Sequence, residues 1–296
     1  MSLVLPGSDT ASVMLLGVNS IVGWSLASQL QASETAAEHL RLICNPHTRI
    51  PSGQRWHRLE LHDRASLRAL LRRDRPSLIF HCAGICNVEK CEASPEFAQQ
   101  INVQGMAALL AEIADDTRLV YLSSDHVFSG DSGPYSESSS PDPISTYGRS
   151  RVAAERLLQT NRPDALIVRA GLWIGPSFNG RVGHLDWLRY RTRRGLPTTV
   201  VRDEYRSAVW ANQAAERVLQ LAWSDIAGVR HVVAKAIVSR PALARYLDHR
   251  FAVGARIALM DRSQRPVPHL GRLDLRTRFD DPLAQPLPAV ADPSAS

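Results

Sequence analysis

From Ser12 onward the chain alternates short apolar runs with longer amphipathic stretches, and that alternation restricts its fold more than any other feature. Strands buried on both faces read as continuous apolar runs, and parallel neighbours need a crossover of a dozen or so residues, normally a helix. Val13–Leu16 reads as a first strand and Ile21–Gln31 as its helix. Further strands are predicted over Leu40–Cys44, Arg58–Leu61, Leu78–Cys82 and Arg118–Ser123. Helices are predicted between them over Asp63–Arg73 and Pro95–Ala114, with Asp63 and Ser94 as N-caps. After a polar loop rich in glycine and proline from Asp125 to Thr146, a helix over Tyr147–Gln159 leads into a sixth strand at Ala165–Arg169 and completes a doubly wound sheet.

Beyond Gly171 the rhythm loosens into helices near Leu185–Arg194, Ala211–Trp223 and Arg240–Arg250, separated by short strands. The expectation is an α/β fold of the Rossmann type. It has a dinucleotide-binding domain over 12–171, a smaller C-terminal substrate-capping part over 172–280 with segments that return to the sheet, and a Pro/Ala/Ser-rich, untethered tail over 281–296. A net charge of +6 comes mostly from scattered arginine clusters such as Arg72-Arg73 and Arg191 to Arg194. That pattern suits a solvated surface or an anionic small substrate, and no helix-turn-helix, zinc-finger or RRM signature accompanies it, so nucleic acid is not an expected partner. Met1–Ser12 lacks a basic segment followed by an apolar core, and no run approaches about eighteen apolar residues, so a cytoplasmic protein without a membrane span is expected. The 4 cysteines, at 44, 82, 86 and 91, read as free thiols. His81, Cys82, Cys86 and Cys91 lack the paired C-x-x-C spacing of structural zinc, and no metal is expected.

The first place for chemistry is Leu16-Gly17-Val18-Asn19-Ser20-Ile21-Val22-Gly23, directly after the first strand and opening a helix. Glycine there lets backbone N–H groups and a helix N-terminus approach a pyrophosphate, which makes Gly17, Asn19, Ser20, Ile21 and Val22 candidate cofactor contacts. A full G-x-x-G-x-x-G pattern would have glycine at Ser20, whose side chain should weaken binding or turn to hydrogen-bond the phosphates. At the end of the second strand, Cys44 to Arg49 offers no carboxylate for ribose hydroxyls. Arg49 suits a 2′-phosphate, which favours NADP over NAD, or is simply a surface loop residue. The third place is Ser123-Ser124-Asp125-His126-Val127-Phe128 followed by Tyr147-Gly148-Arg149-Ser150-Arg151. A hydroxyl at a strand end and a tyrosine opening the next helix can converge on one carbonyl oxygen. Arg151, four positions after Tyr147, lies one turn on along the same face, where its charge would lower the phenol pKa.

Residues 123–151 resemble the S-[ST]-D-Y-V-F-D-G, G-P-Y-x-E and P-x-x-x-Y-G-x-S-K signature of the dTDP-4-dehydrorhamnose reductases and their relatives, which are extended short-chain dehydrogenases/reductases. His81-Cys82-Ala83-Gly84 with Val88 to Glu92, Asn102-Val103 with Gly105, and Arg169 to Pro176 are similar to further segments of that family, so the likeness spans roughly 12–280. It implies reduction of the 4-keto group of a nucleotide-linked 6-deoxysugar by a nicotinamide cofactor. It also implies Ser124, Tyr147 and Arg151 as the catalytic set, Cys82, Ala83, Gly84 and Asn102 beside the cofactor, and His126 at the family's loop-tyrosine position on the substrate side. A nucleotide-sugar diphosphate would need cationic or backbone donors after the sixth strand, for which Arg181, Arg189 and Arg206 are candidates or surface arginines. Trp173, Trp187 and Trp210 could stack a base or sugar, or pack in the core.

Three positions depart from the pattern: Ser20 for glycine, His126 for the loop tyrosine and Arg151 for the catalytic lysine. Arginine keeps the charge, yet its planar fork is longer and releases no proton. The resemblance therefore leaves two main readings open: a reductase, or a nucleotide-binding regulatory protein like the regulatory subunit of methionine adenosyltransferase. Epimerisation or dehydration stands behind both, because no added acid/base pair accompanies Tyr147. An isologous homodimer is the default assembly.

Overall fold

A computed structural model describes residues 12–32, 37–51, 53 and 55–291. The predicted absence of a leader over Met1–Ser12 concerns residues that, apart from Ser12, lie outside the described residues. The central sheet has seven strands: β1 (Val13–Leu16), β2 (Leu40–Cys44), β3 (Trp56–Arg58), β4 (Leu78–His81), β5 (Arg118–Leu122), β6 (Leu166–Ala170) and β10 (Gly228–Val232). Their order is β10-β6-β5-β4-β1-β2-β3, and every pair is parallel. The order turns back between β1 and β4, so the loops that follow these two strands flank the crevice where open α/β sheets bind ligands.

Both faces of the sheet are covered, which is why its strands are apolar throughout rather than alternating. On one face Leu15, Leu42, Phe80, Val120 and Val168 pack under α1 (Ile21–Gln31) and, from the C-terminal half, a helix over Ala211–Ala222. On the other, Met14, Ile43, Ile79, Leu119 and Ile167 meet α2 (Arg64–Asp74), then a helix over Gly105–Glu112 and one over Thr146–Asn161. Asp63 caps α2 as expected, its carboxylate accepting from the Ser66 N–H at 3.2 Å.

The single helix predicted over Pro95–Ala114 is in fact three pieces. After α3 (Val88–Ala93), which periodicity alone does not show, come α4 (Pro95–Ala98), a π-helix over Gln99–Gln104 and α5 (Gly105–Glu112). The extra residue in the π-turn rotates Asn102 inward, and Ser94 makes no side-chain cap bond. The third strand lies at Trp56–Arg58 rather than Arg58–Leu61, because Leu42 pairs with Trp56 and Cys44 with Arg58. Leu59 and Leu61 are buried against the helices of the second face after the chain has left the sheet, so their apolar character came from a loop, not a strand.

The predicted sixth strand does not complete the sheet. After α6 (Thr146–Asn161), β7 (Leu172–Ile174), α7 (His184–Arg193), β8 (Thr198–Val201) and β9 (Tyr205–Trp210), the chain comes back through α8 (Ala211–Ala222) to lay β10 parallel to β6. It then adds β11 (Ile237–Ser239), α9 (Arg240–Arg250) and β12 (Ile257–Met260), which pair in smaller sheets as β11-β9-β7 and β12-β8. No helix among the described residues is long and apolar enough to cross a membrane.

The tail is tethered as far as Ala291, contrary to its composition. The Leu287 and Val290 N–H groups donate to Val233 and Ala208 carbonyls at 2.9 and 2.8 Å, Asp281 pairs with Arg230, and Val290 is 0% exposed in a core with Ile174 and Leu247. Apolar residues spaced among prolines anchor it, a pattern that a Pro/Ala/Ser count hides. Residues 292–296 lie outside the described residues. Val290→Asp is expected to cost about 3 kcal/mol, read as a lower midpoint in urea unfolding, since it would bury an unpaired charge.

Candidate active site

The turn after β1 is shaped by two close backbone approaches. Gly17 has φ +87°, and a Cβ there would lie 2.5 Å from the Ala83 backbone in the loop after β4. A Cβ on Gly23 would strike the Gly17 carbonyl. Ser20 closes the turn: its hydroxyl donates to the Gly17 carbonyl at 2.9 Å and accepts from the Gly23 N–H at 2.9 Å, making it the N-cap of α1. The side chain is therefore turned into the loop and does not project from it to meet a phosphate. The Ile21 and Val22 N–H groups, which have no acceptor among the described residues, remain as donors at the start of α1. Such a cradle fits a pyrophosphate. Gly183 from the C-terminal part passes close over Ile21, where a Cβ would come within 2.8 Å of its Cδ1.

Past β2, Arg49 is exposed, and Thr48 donates its hydroxyl to the Asn45 side chain at 2.9 Å. Arg58, paired in register with Cys44, donates to the Thr48 carbonyl at 3.1 Å. It is a second cation at this loop that sequence reading missed, because the predicted strand began there instead of ending there. On the other side of the crevice, Asn102 accepts from the Ile85 N–H at 2.9 Å and donates to the Ile85 carbonyl and to Ser150 at 3.0 and 2.8 Å. It holds the 84–86 turn in place, and its amide nitrogen is fully used in doing so. Cys82 is buried, its N–H bonded to Leu16.

Tyr147 reaches the crevice because α6 starts hard against the turn after β5. Ser145 caps the helix, accepting from the Gly148 N–H at 3.0 Å, and Glu92 of α3 accepts from the Thr146 N–H at 2.6 Å. Gly148 packs on the His126 carbonyl so closely that a Cβ there would collide with it. Ser124 lies beside the phenol, also accepting from the His126 N–H at 3.2 Å, and Arg151 donates its Nε–H to the Tyr147 oxygen at 3.2 Å. Ser123 points away and donates to Glu155, which pairs with Arg169 in the core. The three expected residues are thus together. Burial is the largest influence on the phenol and pushes its pKa up, outweighing the Arg151 charge and the Ser124 hydrogen bond that lower it. Arg151 acts in the expected direction, yet burial outweighs it, and Tyr147 is held in its protonated form.

The substrate-side expectations fare unevenly. His126 sits edge-on to Tyr147, ring centroids 5.0 Å apart, with a buried Nδ1 that has no hydrogen-bond partner among the described residues. Arg206 is buried, its fork bonded to Asp125 and to Glu204, so it has no free face for a diphosphate. Trp173 is also buried, in the core under α1 and α8, and offers no ring face to the crevice. The reason is the same for both: the strands after β6 turn inward and form the floor of the C-terminal part. Arg181 is exposed on the loop before α7. Glu204 and His269 were missed by sequence reading. Glu204 accepts from Arg206, pairs with His269 at 3.0 Å and is held below the usual carboxylate range by that hydrogen bond, Arg240 and Arg206, against the effect of burial.

A sequence profile of the RmlD substrate binding domain matches residues 11–270. The chain belongs to that family. Among relatives of this RmlD-type chain, the dTDP-4-keto-6-deoxy-D-glucose reductase of Streptomyces niveus is 33% identical over 181 residues, covering 59% of this chain and 61% of its own length. The methionine adenosyltransferase 2 subunit beta of Xenopus tropicalis is 37% identical over 122 residues, covering 41% of this chain and 36% of its own. The RmlD-type chain therefore spans less than two thirds of either relative. In fold it is similar to dTDP-4-dehydrorhamnose reductase from Bacillus anthracis, solved in complex with NADP, at a TM-score of 0.77 and 19% identity over 95% of this chain and 96% of that one.

Four histidines of this fold, His81 and His231 buried and His126 and His184 half-buried, have depressed pKa values. Burial lowers His81 to about 3, and His126 and His231 to about 4, with further contributions from Arg151, Arg206 and Arg169 respectively. Burial and Arg240 hold His184 well below its ordinary value. All four are neutral in the folded state at pH 7, so their stability contribution is complete above about pH 6.5. As the pH falls from there, the unfolded chain takes up protons that the fold refuses. Stability should then decline by up to about 1.4 kcal/mol per pH unit per histidine. Glu204, whose pKa is lowered, adds to the loss below about pH 4.3. Urea unfolding at pH 7.5, 6 and 5, about the ordinary histidine range, would show the decline, and a flat profile would contradict it.

Proposed function

We propose that the chain is an NAD(P)H-dependent reductase of a keto group, on a nucleotide-linked 4-keto-6-deoxysugar or a related small metabolite, with NADPH the preferred reductant. The observation that carries this reading is the meeting of Ser124, Tyr147 and Arg151 at the C-terminal edge of the sheet, across the crevice from the Gly17 turn. The reductase from Streptomyces niveus and the NADP-bound structure from Bacillus anthracis support it.

Gly17, Ile21 and Val22 would hold the pyrophosphate, Arg49 with Arg58 beside it would meet a 2′-phosphate, and Ala83 and Gly84 would floor the nicotinamide side. A bound nicotinamide supplies the hydride. Ser124 donates a hydrogen bond to the carbonyl oxygen, and Tyr147 passes its phenol proton to the forming alkoxide. The phenolate left behind is stabilised by the Arg151 Nε–H. Burial that keeps Tyr147 protonated suits a group that must give a proton away.

A second reading, nucleotide binding without turnover, is favoured by two observations. Ser20 closes the glycine turn, and Arg151 is only 5% exposed, folded under Gly84. The methionine adenosyltransferase subunit among the relatives is in keeping with it.

Titrating purified protein with NADPH and NADH, then adding a dTDP-4-keto-6-deoxysugar and following nicotinamide absorbance, separates the two. Tyr147→Phe should bind dinucleotide like the wild type and lose about 10²- to 10⁴-fold in kcat. Binding without oxidation in the wild type would transfer the case to the second reading. Ser20→Gly should tighten dinucleotide binding in the same fluorescence titration by freeing the Gly23 N–H, at a cost of a few tenths of a kcal/mol in stability.

A further inference from the structure

Arg151 is a buried cation for which no carboxylate pairs among the described residues. A charge in that position is costly unless fixed dipoles replace its water. Its three nitrogens are each accounted for. Nε donates to the Tyr147 oxygen at 3.2 Å, and Nη1 donates to the Tyr121 oxygen at 2.9 Å. Nη2 lies beneath Gly84, where a Cβ would come within 2.8 Å of it. The guanidinium carbon also stands 5.3 Å from the Tyr147 ring centroid and 5.6 Å from that of Tyr121. One planar fork thus bridges two phenols through two different nitrogens held at a fixed separation.

We infer that Tyr121 is a positioning residue for the reaction: from β5, beneath the crevice, it anchors the Arg151 fork so that the cation stays on the Tyr147 oxygen. The inference rests on reading Tyr147 as the proton donor. Tyr121 is 1% exposed, and its hydroxyl oxygen accepts from Arg151, the contact through which it would hold the cation on Tyr147. Nε and Nη1 are separate donors, and the two phenols therefore do not compete for one hydrogen bond. With the Tyr121 oxygen removed, the fork keeps a single acceptor, and the way past the exposed Gly84 leads it to water.

The groups around Tyr147 limit what else could move its titration. Cys86 and Cys91 face it from the loop before α3 and from α3, Ser124 and His126 from the turn after β5, and Arg151 from its own helix. Tyr121 itself is flanked by His81 of β4, by Glu155 of α6 and by Tyr147. The ionised form of either phenol disfavours ionisation of the other, so loss of Tyr121 by this route alone would lower the Tyr147 midpoint, the opposite of what loss of the anchor does. Among these, only Arg151 carries a positive charge at neutral pH, so loss of its contact should be read directly in the phenol.

The test is a tyrosinate absorbance titration of the protein alone, with no cofactor or substrate. The wild type minus Tyr147→Phe gives the Tyr147 ionisation with Tyr121 in place, and Tyr121→Phe minus the Tyr121→Phe/Tyr147→Phe double variant gives it without. The midpoint should rise by about one pH unit or more when Tyr121 is absent. Equal midpoints would overturn the inference. Tyr121→Leu also removes the phenol oxygen and should raise the midpoint likewise in the same subtraction, which keeps the inference open to measurement if Tyr121→Phe does not fold. Because this readout needs no turnover, an inactive wild type would count against the reductase reading while leaving the anchor decided. If the wild type is active, Tyr121→Phe should also move the alkaline limb of its kcat profile upward, a shift that mere loosening of the core would not produce.

Discussion

The ion pair between Arg206 and Asp125 is the contact on which the arrangement of the crevice rests. It joins β9, in the C-terminal part, to the short turn after β5 that presents Ser124 and His126. Both partners are almost fully buried, and removing one would strand the other, at a cost of roughly 3–5 kcal/mol. From Arg206 the chain of polar contacts runs on through Glu204 to His269, Arg265 and Glu89, reaching α3 on the far wall. The two halves of the protein are thus tied together at the residues that would handle a substrate, not at a remote hinge.

Around that tie, the crevice owes its narrowness to missing side chains. Gly17, Gly84 and Gly148 each stand where a Cβ would meet backbone or the Arg151 fork, so loops after β1, β4 and β5 approach at distances that no other residue allows. The same closeness dries the Tyr147 phenol. Two opposing effects then act on one oxygen, the burial that favours its proton and the cation that favours its loss, and burial wins.

Much of this was legible in the chain itself. Apolar runs of four or five residues located β1, β2, β4, β5 and β6 to within a residue, because parallel strands covered on both faces must be apolar at every position. The Tyr147 spacing likewise placed Arg151 correctly, since a helix brings residues four apart together. What escaped reading depends on long-range register or on burial. Trp56–Arg58 is an edge strand with polar residues, recognisable only by its pairing to β2. Trp173 and Arg206 looked like ligand contacts by type, yet their strands turn them inward. The inward turn of Asn102 needed a π-helix, and no local propensity announces one. Tyr121 read as a core strand residue, and its partner at Arg151 comes from a different element altogether.

The return of the chain to lay β10 beside β6 has a bearing on how the molecule is made. Residues 171–227 intervene between these two strands, so when β6 has left the ribosome its outer edge is still unpaired, a row of open N–H and C=O groups. The N-terminal half cannot finish folding as a unit ahead of the rest, and its last edge is sealed only by a contact of high sequence separation, a slow kind of step. During synthesis, therefore, the C-terminal half protects the sheet, and any lesion that delays α8 and β10 would expose β6 to pairing with other chains.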